Sequence, residues 1–193
     1  MVGFDKRRQK RLVALLLAFL VAVLAGFQTE RISNPNALVQ NQPGLYEVEE
    51  VVDGDTIIVN MNGTREIVRM IGVDTPETHH PSRPVECYGS QASQYTRQLI
   101  GKEPVRLEAD PLETNRDRYD RLLRYVYLPD GTLVERKIIE NGYGFAYPFF
   151  PFEKSDEFVA YERQSEAAGK GLWSACKVTI EENGSKHTNP ASQ

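Results

Sequence analysis

Apolar and polar positions change their period several times along this chain, and each change marks an element. From Leu45 to Val52 and from Thr56 to Met61, apolar and β-branched residues run at strand spacing. Asn62-Gly63 then supplies a two-residue hairpin turn into a third run, Thr64 to Val73. Ala92, Tyr95, Thr96 and Leu99 recur at the spacing of one helix face, and Gly101 stops that run. Val105, Leu107 and Ala109 alternate as a fourth strand. A charged loop, DPLETNRDRYD, leads to a fifth from Arg121 to Leu128, closed by Pro129-Asp130-Gly131. Thr132 and Glu135 have capping-box spacing for a short helix with Val134 and Ile138 inward and Gly142 at its end. A last helix is predicted from Ser155 to Ala168, with Phe158, Tyr161 and Ala168 on one side. Five short strands, with a helix between the third and fourth and two helices at the C-terminal end, predict an α+β fold built on a five-stranded OB-type β-barrel. Such barrels both bind and cut, so the fold leaves function open.

The ends of the chain follow other rules. Lys6, Arg7, Arg8, Lys10 and Arg11 precede an uncharged apolar run of 16 residues, Leu12 to Phe27. That length suits the core of a secretory signal and falls short of the roughly 20 residues of a spanning helix. Val23-Leu24-Ala25 before Gly26 offers a cleavage site, and retention as a membrane anchor through residues 12–27 is the alternative. Either way residues 1–27 predict export, to a secreted form or to the outer face of the cytoplasmic membrane. Residues 28–44 are polar, with two prolines and no period, and read as a linker. The folded domain then spans 45–176, and 177–193 is expected to be a disordered tail.

Charge and cysteine content narrow the partners. The whole chain carries a formal charge of −4. Loss of residues 1–27 removes five basic residues and one acidic one, leaving 18 against 26, near −8. Bulk charge therefore excludes a nonspecific polyanion sponge, and a nucleic acid would have to be met by local charge. Cys87 and Cys176 are the only cysteines. In an oxidising compartment an even count favours one disulfide, with two buried or reactive thiols as the alternative. The cysteines and His79, His80 and His187 show no zinc-ligand spacing.

Candidate chemistry gathers at VVDGDTIIVN, residues 51–60, where Asp53-Gly54-Asp55 interrupts a strand-like run. Asp-Gly is ordinary turn chemistry, but two carboxylates exceed what a turn needs. Arg69 stands among apolar neighbours in the third strand and requires an anion, which an internal carboxylate or a phosphate would supply. Asp74 and Glu77 add carboxylates where the chain leaves the sheet. With Asp53 and Asp55 they form the kind of oxygen set that surrounds a hard cation, with the Thr75 carbonyl as a further ligand.

DGDT at 53–56, the arginine at 69, VDTPE at 73–77 and DRYDR at 117–121 together resemble the staphylococcal nuclease (thermonuclease) family, from about Val51 to Trp173. The resemblance implies an OB-type barrel that hydrolyses DNA and RNA with calcium and leaves 3′-phosphate ends. It implies calcium ligation by Asp55, Asp74 and the Thr75 carbonyl, with Asp53 acting through water. Arg69 and Arg121 match residues that contact the scissile phosphate, and Glu77 matches the group that orients or deprotonates the attacking water. Arg118, Tyr119 and Tyr147 match positions that hold a terminal phosphate and flank the nucleotide, and a monomer is implied.

Three departures stand out. Asp120 occupies a position where the family usually has glycine, which would set a carboxylate beside Arg121. Phe149 replaces a second tyrosine, and the loop HHPSRP is less basic than the lysine-rich loop of the prototype. The alternative function is a noncatalytic OB module that captures single strands or a protein partner at the cell surface. Arg69, Glu77 and Arg121 being present together argue against it, since a binding module would be free to lose them.

Overall fold

The computed structural model describes residues 44–78 and 84–191. The expected export segment 1–27, the expected linker before Gly44 and the His79-His80 pair lie outside the described residues. Strand β1 (Leu45–Asp53) turns at Gly54-Asp55 into β2 (Thr56–Met61), which turns at Asn62-Gly63 into β3 (Thr64–Met70). Asn62 and Gly63 both have positive φ, 56° and 90°, the backbone that a type I′ hairpin requires. The third strand is shorter than its apolar run. Gly72 takes a φ of 71°, and a Cβ there would strike Phe152 and Phe158, so the chain bends over the core. It resumes as the two-residue β4 (Val73–Asp74).

Helix α1 (Gly89–Ile100) ends at Gly101, whose φ is 61°. It is followed by β5 (Val105–Glu108) and β6 (Leu122–Tyr127). The strands close in the order β1-β2-β3-β6-β5, with β3 and β6 parallel and β5 returning antiparallel to β1. This is the five-stranded barrel of the OB type. Ile57, Val59, Val68, Met70, Val105 and Val126 fill its interior and are almost fully buried. Each such side chain contributes about 1.5 to 3 kcal/mol by leaving water.

The C-terminal part packs α2 (Val134–Glu140), β7 (Phe145–Ala146), α3 (Ser155–Ala167) and the short α4 (Leu172–Ala175) against that core. Strand β7 pairs antiparallel with β4, which fixes Asp74 opposite Phe145. Val134 and Ile138 point inward as their spacing predicts, but the capping box does not form. Leu133 occupies the N-cap position, and the fully buried Glu135 carboxylate accepts the Val126 N–H at 2.9 Å. A buried strand N–H needs an acceptor, and that requirement wins over the local cap. Burial pushes the Glu135 carboxyl well above its ordinary range. On α3, Phe158 is buried and Tyr161 half-buried, whereas Ala168 lies exposed beyond the helix end.

The polar tail also departs from expectation. Residues 178–188 form a hairpin, β8 (Val178–Ile180) and β9 (Lys186–Thr188). A disulfide between Cys87 and Cys176, with Cα atoms 5.9 Å apart, holds the base of this hairpin against the segment that leads into α1. Tertiary anchoring supplies what the tail's own sequence lacks. Replacing both cysteines by serine is expected to lower the unfolding free energy by about 2 to 5 kcal/mol. The shift of the urea midpoint measures it, and an unmoved midpoint would contradict a structural role for the bond.

Candidate active site

In the first hairpin, Asp53 pairs with Thr56, so Gly54 and Asp55 are the whole turn. The two carboxylates do different work. Asp53 accepts the Gly54 N–H and the Ser93 hydroxyl, both at 2.8 Å, and ties the turn to α1. Burial, and next the neighbouring Asp55, push its carboxyl up. Asp55 faces the other way: one oxygen accepts the Thr56 hydroxyl at 2.8 Å, the other the Thr75 N–H and hydroxyl at 3.0 and 3.1 Å. Only glycine fits between them, because a Cβ on Gly54 would lie 2.8 Å from the Thr75 side chain.

Arg69 pairs across the ladder with Thr56 and reaches the same corner. Its Nη1 donates to the Met70 and Val73 carbonyls at 2.9 and 2.7 Å. Its Nη2 donates to Asp74 at 2.8 Å and lies 3.3 Å from Asp55. The anion that the strand position demands is thus internal: two carboxylates, from the β1–β2 turn and from β4, meet on one guanidinium nitrogen. Asp74 is pushed up to about 6, first by burial and further by Asp55, with Arg69 opposing. By formal charge, one cation here faces two carboxylates.

Among the described residues, no three histidine, cysteine or carboxylate side chains gather closely enough to hold a metal by themselves. The corner nevertheless fits a hard cation, which combines two carboxylates with carbonyl and water oxygens. The surplus negative charge at Asp55 and Asp74 is what such an ion would relieve. Glu77 lies on the loop that continues from Thr75, with its carboxylate accepting the Thr78 N–H at 3.1 Å. Its backbone is held by Glu86, a residue that no spacing in the sequence singles out.

The third participating segment is the loop before β6. Asp117 takes Nε and Nη2 of Arg121 side-on, both at 2.7 Å, and also accepts the Arg121 and Tyr119 backbone N–H groups. Burial acts against the Asp117 carboxylate, but these hydrogen bonds hold its carboxyl below the ordinary range. The carboxylate beside Arg121 is therefore Asp117, not Asp120. Asp120 adopts a φ of 64°, the left-handed backbone natural to glycine, and points into solvent, 3.6 Å from Arg116. Aspartate tolerates that conformation better than most residues, so the turn survives the substitution. Tyr119 is exposed, with the guanidinium carbons of Arg118 and Arg121 at 4.7 and 5.4 Å from its ring centre.

Tyr147 follows β7, and its N–H donates to the Gly72 carbonyl at 2.9 Å. Its phenol is pushed up by burial and then by Asp74, with Arg69 and Arg118 opposing, which sets it within the field of both halves of the corner. Phe149 lies 4.7 Å from it, ring to ring, and is itself partly exposed. Asp55, Arg69, Asp74 and Thr75 thus meet in one corner, Asp53 and Glu77 lie on the turn and the loop adjoining it, and Arg118, Tyr119, Arg121 and Tyr147 lie on the loop before β6 and the segment after β7.

Comparison with known proteins adds independent information. A family model described as staphylococcal nuclease homologue matches residues 67–175. A thermonuclease of Staphylococcus hyicus is 36% identical over 162 residues, 83% of this chain and 94% of that protein. A thermonuclease of Staphylococcus intermedius is 41% identical over 127 residues, 66% and 73% of the two chains. Endonuclease YncB of Bacillus subtilis is 37% identical over 139 residues, 70% and 65%. If Asp120 only keeps the turn, Asp120→Gly leaves the nuclease rate within about twofold and raises stability by less than about 1 kcal/mol. Parallel rate and urea measurements check this, and a tenfold change in rate would show that Asp120 orients Arg121 after all.

Proposed function

We propose that this chain, which belongs to the staphylococcal nuclease family and is a nuclease, works outside the cytoplasm as a calcium-dependent monomer that cuts DNA and RNA with little sequence preference. The observation that carries this reading is the meeting of Asp55 and Asp74 on Arg69. The basic-then-apolar pattern of residues 1–27 supports export, and so does a disulfide, which persists in oxidising compartments.

In this reading Asp55 and Asp74 hold the ion with the Thr75 carbonyl, and Asp53 contributes through water. Bound there, a calcium ion would polarise a phosphoryl oxygen and add positive charge at the reacting phosphorus. Arg69 and Arg121 donate to the phosphate oxygens, which gain charge as water adds, so these contacts strengthen towards the transition state. Glu77 accepts the proton of the attacking water as its oxygen bonds to phosphorus. The bond to the 5′-oxygen breaks, that oxygen takes a proton from solvent water while Glu77 returns its own to solvent, and the phosphate stays on the 3′ end. Tyr119 and Tyr147 offer faces on which bases stack without sequence preference, and Arg118 holds a terminal phosphate. Asp117 holds the Arg121 guanidinium until a phosphate competes for it.

Two measurements test this. Single-stranded DNA cleavage by wild type in millimolar calcium is expected to stop with chelator and to fall at least 100-fold in Glu77→Gln. Cleavage that survives either change would overturn the assignment. Because Asp74 is pushed up to about 6, a proton competes with the ion below that pH. Calcium affinity read by calorimetry should therefore rise as pH rises through about 6 and level off above it. A flat profile would remove Asp74 from the ligand set.

A further inference from the structure

The base of the reaction sits on a loop, and loop placement needs a physical cause. Glu86 provides one. Its N–H donates to the Glu77 carbonyl at 2.9 Å, and its carboxylate accepts the Glu77 N–H at 3.1 Å, so one residue takes both backbone groups of Glu77. Glu86 is itself buried, at 8% exposure. Its other carboxylate oxygen lies 3.4 Å from Nδ1 of His187 on β9, whose Nε2 lies 3.4 Å from the Ser185 hydroxyl and 3.6 Å from Glu181.

The hairpin that carries His187 is anchored on three sides. Residues 85–87 run alongside its outgoing strand: the Cys87 N–H donates to the Asn189 carbonyl at 2.7 Å, the Ala191 N–H to Val85 at 2.8 Å, and the Thr188 hydroxyl to Cys87 at 2.8 Å. Lys186 pairs with the buried Glu162 of α3 at 2.7 Å. The disulfide closes the base. A two-stranded hairpin alone is marginal in water, and these contacts give it a third partner and a covalent tie.

We propose that the disulfide-tied C-terminal hairpin positions the general base of this nuclease, with His187 holding Glu86 and Glu86 fixing the backbone of Glu77. His187 and Glu86 are positioning residues and touch no reacting atom. The inference rests on the assignment of Glu77 as the base. Its energetic logic is that a reacting group displaced by about 1 Å can cost on the order of 100-fold in rate. Edge protection alone would not require a buried carboxylate turned onto the Glu77 peptide.

The test uses the full chain with single-stranded DNA and saturating calcium, comparing Glu86→Ala, Glu86→Gln and His187→Ala with wild type. The amide oxygen in Glu86→Gln can still accept the Glu77 N–H, so this variant should stay within about threefold of wild-type kcat. Glu86→Ala should lose tenfold or more in kcat, with KM and the half-saturating calcium concentration within about twofold, and its Glu77 amide should exchange hydrogen faster. His187→Ala should fall between them on both readouts. Wild-type kcat in Glu86→Ala, equal impairment in Glu86→Gln, or a loss taken in KM or calcium affinity would overturn the positioning role. His187→Ala with wild-type kcat and exchange would overturn the part played by the hairpin. Glu77→Gln run alongside separates the two assignments: if it cuts like wild type, the base is misassigned, whereas amide exchange at Glu77 in Glu86→Ala still reports on the clamp.

Discussion

The guanidinium of Arg69 ties together three pieces of chain: the β1–β2 turn through Asp55, the end of its own strand through the Met70 carbonyl, and β4 through the Val73 carbonyl and Asp74. Burying a guanidinium is costly unless its donors are paired, and here four oxygens pair with its two Nη nitrogens. Everything that makes the corner chemically interesting follows. The bend at Gly72 is needed to bring β4 back over the core. Gly54 must lack a side chain so that Thr75 can reach Asp55. Two carboxylates on one cation leave a formal negative surplus, and burial, more than that surplus, pushes Asp74 up.

The second arginine is arranged by a different device. Arg121 lies on a loop whose turn depends on Asp117 accepting two backbone N–H groups and gripping the guanidinium side-on. Asp120, by contrast, contributes a backbone conformation more than a charge, since its side chain is 88% exposed. A substitution that changes formal charge can therefore leave the local field almost untouched when φ, rather than the side chain, is what the position supplies. The two arginines also differ in burial, 14% against 28% side-chain exposure, so Arg121 is the easier one for a polyanion to reach.

At the other end of the corner, the hairpin of residues 178–188 extends the ordered domain past the expected boundary at 176. Polar residues that would not fold alone are held there by the disulfide, by Lys186 on Glu162 and by pairing with residues 85–87. Stability and placement are thus linked, because the segment 85–87 that pairs with the tail includes Glu86, which hydrogen-bonds both backbone groups of Glu77.

Much of this was legible from the residues alone. The alternation of Ile57, Val59, Val68 and Met70 determined a barrel interior, and Asn62-Gly63 determined the hairpin turn, because period and turn chemistry are local properties. The carboxylates at 53, 55, 74 and 77 and the arginines at 69 and 121 were visible as charges that no core or turn explains. What tertiary structure alone decided was which charge meets which: Asp55 and Asp74 on Arg69, Asp117 rather than Asp120 on Arg121, Glu135 on the Val126 N–H instead of in a helix cap, and Glu86 on Glu77 under His187. Long-range partners are chosen by chain closure and by the need to satisfy buried polar groups, and neither leaves a mark in the spacing of residues along the chain.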